Sequence, residues 1–199
     1  MIYVPKYQHH LYLSPPAPTR IVRTIAQLTE STRKRPDIDE YMMSIAVGVR
    51  ARANCKGSHV GAVLAREGHI VSTGYNGTPR GTVNCDEGGC ERCSNRDEYP
   101  SGTGYDLCIC VHAEQNALLS AARFGIAVEG SLLYTTWRPC FGCTKEMLQA
   151  GVQGVRYGVD WEPREELREE YARLQGYFPR GVKKIELREN QAPDPEHTA

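Results

Sequence analysis

The sequence has no excess charge of either sign. Its 24 Lys and Arg residues balance 24 Asp and Glu residues. That balance counts against a nucleic-acid binder, which usually shows a basic excess, although a local basic patch stays open. Long apolar runs are missing too: nothing approaches the roughly 18 consecutive apolar residues of a membrane span. The first residues, "MIYVPKYQHHLYLSPPAPTR", lack a basic start followed by an apolar core, so no secretory signal is expected. No internal repeat is present. These absences lead to the expectation of a cytoplasmic protein without a membrane partner.

What remains is ordinary except in one respect. A chain of 199 residues with 40% hydrophobic and 24% charged content reads as one soluble domain with length to spare. A domain of that size buries roughly 70% of its unfolded surface and needs no disulfide staples. Yet it carries eight cysteines. In a reducing compartment these are better read as metal ligands or catalytic groups than as disulfides.

Residues 1–36 are proline-dotted and then basic, an extension with one helix expected near 20–30. A domain is expected over 37–190 and a disordered tail over 191–199. Asp37 or Asp39 can cap a helix over 40–53. "VGAVLA" and "HIVSTGY" read as strands joined by a turn at "REG". The segment 76–110 is rich in glycine, cysteine and polar residues, and too long to lie structureless in a compact domain. Beyond it come a helix over "HAEQNALLSAARFG", a strand over "GSLLYTTW", a short helix over "CFGCTKEMLQAG" and a strand over "GVRYGV". A charged helix over 162–176 and a last strand over 182–189 complete the pattern. Strands alternating with helices predict an α/β sheet covered by helices.

Cys140 and Cys143 stand three apart at a helix start, where they share a face and the helix dipole favours thiolate. A lone CxxC also fits a redox pair or two buried thiols. His112 adds a third ligand, the usual number for catalytic zinc. The open fourth position takes a water whose pKa zinc lowers towards about 7. Glu114 is two residues beyond His112, so it can face that water without ligating the metal. By itself Glu114 is also an ordinary acidic residue in a first helical turn. The combination is what decides: His112-Ala113-Glu114 followed by Pro139-Cys140-Phe141-Gly142-Cys143 is the H-x-E and P-C-x-x-C signature of zinc deaminases. In that chemistry water attacks an amino-bearing ring carbon while the glutamate carries protons.

With "CKGSHVGAVLAREGHIVSTGYNGTPRGTVNC", "HAEQNALLSAAR" and "LLYTTWRPCFGC", residues 40–160 resemble the deoxycytidylate (dCMP) deaminase family of the cytidine deaminase superfamily. The resemblance implies a three-layer α/β/α fold with a central sheet of about five strands. It implies zinc-dependent conversion of dCMP to dUMP and ammonia, supplying dUMP for dTMP synthesis. It also implies a homo-oligomer, often a hexamer, activated by dCTP and inhibited by dTTP. Substrate contacts are expected at Asn76, Ala113, Asn116, Arg123, Tyr134 and Trp137. Asn76 also suits a plain Asn-Gly turn, and Tyr134 and Trp137 could equally be buried strand aromatics. Arg80, Arg123 and Arg138 are candidates for the phosphate.

In the same family a second, structural zinc often ties the glycine-rich insertion to the core. Cys55 and Cys85 match its positions. The expected site is Cys55, Cys85, Cys90 and Cys108, with Cys93 and Cys110 as alternative ligands. A closed site takes four ligands, so six cysteines leave either two spare thiols or a two-zinc cluster with bridging thiolates. Two rival functions remain: a deaminase for another cytosine nucleotide or a nucleic-acid base, and a non-catalytic nucleotide-sensing zinc protein. The intact Glu114 speaks against the second.

Overall fold

The computed structural model describes residues 35–99, 103–104, 106–187 and 191–192. The helix expected near 20–30 and most of the 191–199 tail lie outside those residues. The chain divides between Arg35 and Pro36 into two units, and the fold is that of the second.

Helix α1 covers Ile38–Arg50. Its start is set by a capping box: the Glu40 amide donates to Asp37 Oδ1 at 2.8 Å, and the Asp37 amide donates to Glu40 Oε2 at 3.2 Å. Such a cap contributes about 1 kcal/mol. Asp37 is therefore the cap, and the helix begins two residues before the expected start. Asp39 is left for another role.

Strands β1 (Gly61–Arg66) and β2 (His69–Tyr75) form an antiparallel hairpin. Its two-residue turn has positive φ at both Glu67 (52°) and Gly68 (79°), which matches the twist of the strands. After the 76–110 segment, whose regular structure includes helix α2 (Glu91–Ser94), comes α3 (Ala113–Arg123). Strand β3 (Leu132–Trp137), helix α4 (Phe141–Gln149) and strand β4 (Gly154–Val159) follow. Helix α5 is Arg168–Gln175 and strand β5 is Val182–Lys184. Both are shorter than expected. Pro163 disfavours helical backbone at Glu162, residues 162–164 carry no regular structure, and a 3-10 turn at Glu165–Leu167 precedes α5.

The sheet runs β2-β1-β3-β4-β5, antiparallel at the hairpin side and parallel from β3 to β5. Side chains alternate between its faces. Ala62, Leu64, Leu133 and Val155 meet Ala113 and Ala117 of α3 and Met147 of α4. Val63, Ala65, Leu132 and Tyr134 meet Met42, Met43 and Ala46 of α1. The result is the expected three-layer α/β/α arrangement. On the α1 face Asp39 accepts the Tyr134 hydroxyl at 2.7 Å and Arg156 Nε at 3.3 Å. That polar contact locks α1 to β3 and β4.

Candidate active site

The site forms where α3 and α4 begin side by side. His112 caps α3 and Cys140 caps α4. The His112 amide donates to Gln115 Oε1 at 3.0 Å, and Gln115 Nε2 donates to Glu146 Oε1 on α4 at 3.0 Å. The two helix starts are thereby held together. Beneath them Gly74 of β2 packs against the first turn of α3. A Cβ there would lie 2.2 Å from the Ala113 carbonyl oxygen and 2.3 Å from the Ala117 nitrogen, so only glycine allows this approach.

His112 Nδ1 stands 3.4 Å from the sulfur of Cys140 and 3.4 Å from that of Cys143. Two corners of a zinc tetrahedron, one nitrogen and one sulfur, would lie about 3.6 Å apart at the usual bond lengths. The geometry therefore fits one zinc ion held by His112, Cys140 and Cys143. The Glu114 carboxyl is buried, and its Oε2 accepts from the Cys143 thiol at 3.7 Å. It faces the ligands without joining them.

The electrostatics point the same way. The hydrogen bond from the Cys143 thiol, with a further one from His112, pulls Cys140 down to about 4 against its burial. Pairing with Cys140 pushes His112 up to about 9 against its burial. Cys143 is pushed well up by its hydrogen bond to Cys140 and by burial. Protons shared among three closely packed, largely enclosed donors occupy the place of a cation, and a divalent metal would replace them. Burial also pushes the Glu114 carboxyl up to about 7.

The other six cysteines gather into one cluster. Their sulfurs form two groups, each mutually within 4.8 Å: Cys55, Cys85, Cys93 and Cys110, then Cys90, Cys93, Cys108 and Cys110. The quartet expected from the sequence, Cys55, Cys85, Cys90 and Cys108, takes two members from each group. Cys93 and Cys110, ranked there as alternatives, belong to both.

Residues 36–159 match the family model for the cytidine and deoxycytidylate deaminase zinc-binding region. The chain belongs to this deaminase family. It is 41% identical over 136 residues to the deoxycytidylate deaminase of Schizosaccharomyces pombe, covering 68% of this chain and 41% of the relative. A deoxycytidylate deaminase of a Mycobacterium phage is 37% identical over 131 residues, covering 62% of this chain and 95% of the phage protein. The crystal structure of the dCMP deaminase from cyanophage S-TIM5 in complex with dCMP and dUMP is 32% identical. It superposes with a TM-score of 0.59, covering 76% of this chain and 98% of that one. The match spans only about two fifths of the length of the yeast relatives.

The residues expected to touch substrate in a deaminase of this family separate in the structure. Asn76 is buried, with Oδ1 accepting from the Val60 amide at 2.8 Å and Nδ2 donating to the Ser58 carbonyl at 2.7 Å. One N–H and one lone pair of its amide stay uncommitted. Asn116 donates Nδ2 to the Tyr75 carbonyl at 2.7 Å, which leaves its oxygen. Ala113 is fully buried at the start of α3. Trp137 shares the strand face of Leu133, and its indole N–H is buried without a hydrogen-bond partner.

Tyr134 and Arg123 stand elsewhere. Strand alternation puts Tyr134 on the α1 face with its hydroxyl on Asp39, so it does not reach a base held at His112. Arg123 is exposed at the far end of α3, about 16 Å along the axis from His112, with its guanidinium over the Phe124 ring. Arg138 is committed to Asp160, Gln175 and the face of Tyr171. Arg80 is exposed on the 76–110 segment.

Sequence reasoning missed Asn54. Its amide takes Thr78 N–H at 3.2 Å and reaches Asn84 Oδ1 at 2.8 Å, while its backbone pairs with Asn76 and Asp86. It clamps the 76–110 segment beside Cys55. No spacing rule marks it. Its position next to a suspected ligand is the only signal in the sequence.

Proposed function

We propose that this chain catalyses hydrolytic deamination of dCMP to dUMP and ammonia. The supporting observation is the buried Glu114 carboxyl beside the closed triangle of His112, Cys140 and Cys143. A cyanophage relative with 32% identity has been seen with dCMP and dUMP.

His112, Cys140 and Cys143 would hold one zinc ion, which supplies Lewis acidity and makes water more acidic. Glu114 does the proton work. Burial raises this carboxyl in the metal-free chain, and a carboxyl can both accept and donate a proton in one turnover. It takes a proton from the attacking water and delivers it to the ring nitrogen. The hydroxyl left on the ring carbon gives up the second proton through Glu114 to the amino group, which leaves as ammonia as the ring carbonyl forms. Asn76, Asn116 and Trp137 retain hydrogen-bonding capacity for the nucleotide. Arg80 is the exposed cation nearest in sequence to Asn76 and suits the phosphate.

Cytoplasmic residence fits eight cysteines without a disulfide. Among the described residues no helix is long and apolar enough to cross a membrane. Self-association is supported by exposed Leu119, Phe124 and Ile126, beside an apolar hollow of about 440 Å³ lined by Leu118, Leu119, Ala122 and Ile126. Activation by dCTP and inhibition by dTTP belong to the same proposal.

Ammonia release from dCMP and from deoxycytidine decides the substrate. Much faster release from dCMP is expected. Equal rates on the nucleoside would remove the nucleotide assignment. Repeating the assay with dCTP and dTTP, alongside sedimentation, tests regulation and assembly.

A further inference from the structure

Six cysteines are more than one tetrahedral ion can use, since a closed zinc site takes four. Two tetrahedra sharing an edge have six corners. The two sulfur groups share two members, Cys93 and Cys110, which is the count that an edge-sharing pair requires.

The distances agree. Cys55 and Cys93 sulfurs are 3.8 Å apart, Cys90 and Cys108 3.8 Å, and Cys93 and Cys108 3.7 Å. A zinc–sulfur bond of about 2.3 Å at tetrahedral angles gives an edge of about 3.8 Å, against about 2.05 Å for a disulfide. The Cys110 sulfur lies within 4.8 Å of every other sulfur in both groups. Cys93 meets Cys55 of one group at 3.8 Å and Cys108 of the other at 3.7 Å. Backbone amides of Lys56 and Gly57 aim at the sulfurs of Cys85 and Cys55, at 3.3 and 3.4 Å. Donors on buried sulfurs suit thiolates, and buried thiolates require cations.

We propose that these six cysteines hold a binuclear zinc–thiolate cluster, with Cys93 and Cys110 bridging the two ions and Cys55, Cys85, Cys90 and Cys108 as terminal ligands. Six thiolates and two divalent ions leave a net charge of −2, the same as one four-thiolate zinc site, with no thiol left over. Each terminal pair comes from two segments: Cys55 with Cys85, and Cys90 with Cys108. The cluster thus ties both ends of the 76–110 segment to the chain before β1. It also reaches the candidate active site. Cys110 is two residues from His112, and the residue between them, Val111, pairs with Gly77 in both directions at 2.8 and 3.2 Å. One bridging ligand therefore helps to place a ligand of the other metal.

Zinc counted by native mass spectrometry on the full chain is expected to be three per chain, and two in His112→Ala, which empties the other site. Two in the native chain and one in the variant would overturn the cluster in favour of a single structural ion. Exchange into cadmium-113 should give two resonances from all-sulfur sites, each split by coupling to the other through the bridging sulfurs. Unsplit signals would overturn the bridges. Because Cys110→Ala can unfold the segment, Cys90→Ala provides a milder check: under a mild chelator it should lose one of the three ions, and three retained would overturn its role as a terminal ligand. An inactive chain with three zinc ions would sink the deaminase reading and leave the cluster standing.

Discussion

Glu114 Oε2 and the Cys143 sulfur meet at 3.7 Å in a site where the carboxyl is only 4% exposed. A carboxyl there lies against the candidate metal ligands His112, Cys140 and Cys143 without belonging to that group. Glu114→Gln preserves shape and one acceptor but cannot carry a proton. It is expected to retain zinc and fold while losing at least about 100-fold in kcat for dCMP, the lower range for a general acid–base group. Steady-state kinetics with zinc analysis reads this. Retention of most of the rate would refute the proton-carrying role.

The same carboxyl makes the metal-free chain sensitive to pH. Its folded value is raised to about 7 from 4.5. Below about 4.5 it is protonated whether folded or unfolded and has no effect. Between 4.5 and 7 the unfolded chain ionises first, so stability falls as pH rises. Above 7 the penalty is constant, roughly 3 kcal/mol at 1.36 kcal/mol per unit. In chelator, Glu114→Gln should match the parent at pH 4 and exceed it at pH 8 in urea unfolding. Equal stability at pH 8 would contradict the burial argument.

Asp39 joins α1 to the sheet through Tyr134 and Arg156, whose side chain is only 6% exposed. Asp39→Ala would leave a buried guanidinium without its carboxylate. A loss of roughly 1–3 kcal/mol is expected, below the about 3–5 kcal/mol of a fully buried pair, because Asp39 is a third exposed and Arg156 keeps its bonds to the carbonyls of Val155, Arg180 and Gly181. Zinc content should not change, because the contact lies on the opposite face from His112. Zinc loss parallel to the stability loss would show that the two faces are coupled.

Gly74→Ala tests the close packing under α3. The added methyl meets the backbone of Ala113 and Ala117, which can yield only by moving the helix. Overpacking of this kind costs about 1–3 kcal/mol or more. The shift should also displace His112 and Glu114, so kcat is expected to fall along with Tm. An unchanged kcat in a destabilised protein would mean that α3 moves as a whole with its metal site.

Much of this was legible because it is local. The capping residues before α1, the two-residue hairpin turn and the H-x-E and P-C-x-x-C pairs each sit within a few residues of the element they define. The ends of α5 and β5 were harder, because a 3-10 turn takes the place of the start of α5 and tertiary pairing sets β5. Tyr134 stayed open between base contact and buried strand aromatic because strand alternation fixes which side chains share a face, but not which face meets which helix.

The sequence alone singled out His112, Cys140, Cys143 and Glu114 as candidates and determined the α/β layering, since motif spacing and helical or strand periodicity suffice for those. Only the tertiary structure decided how Cys55, Cys85, Cys90, Cys93, Cys108 and Cys110 divide. They come from segments up to 55 residues apart, and sulfur-to-sulfur distances of 3.7–3.8 Å depend on how those segments fold over one another. The same through-space packing, rather than any pattern along the chain, assigned Asp39 to Arg156 and gave Asn54 its clamp.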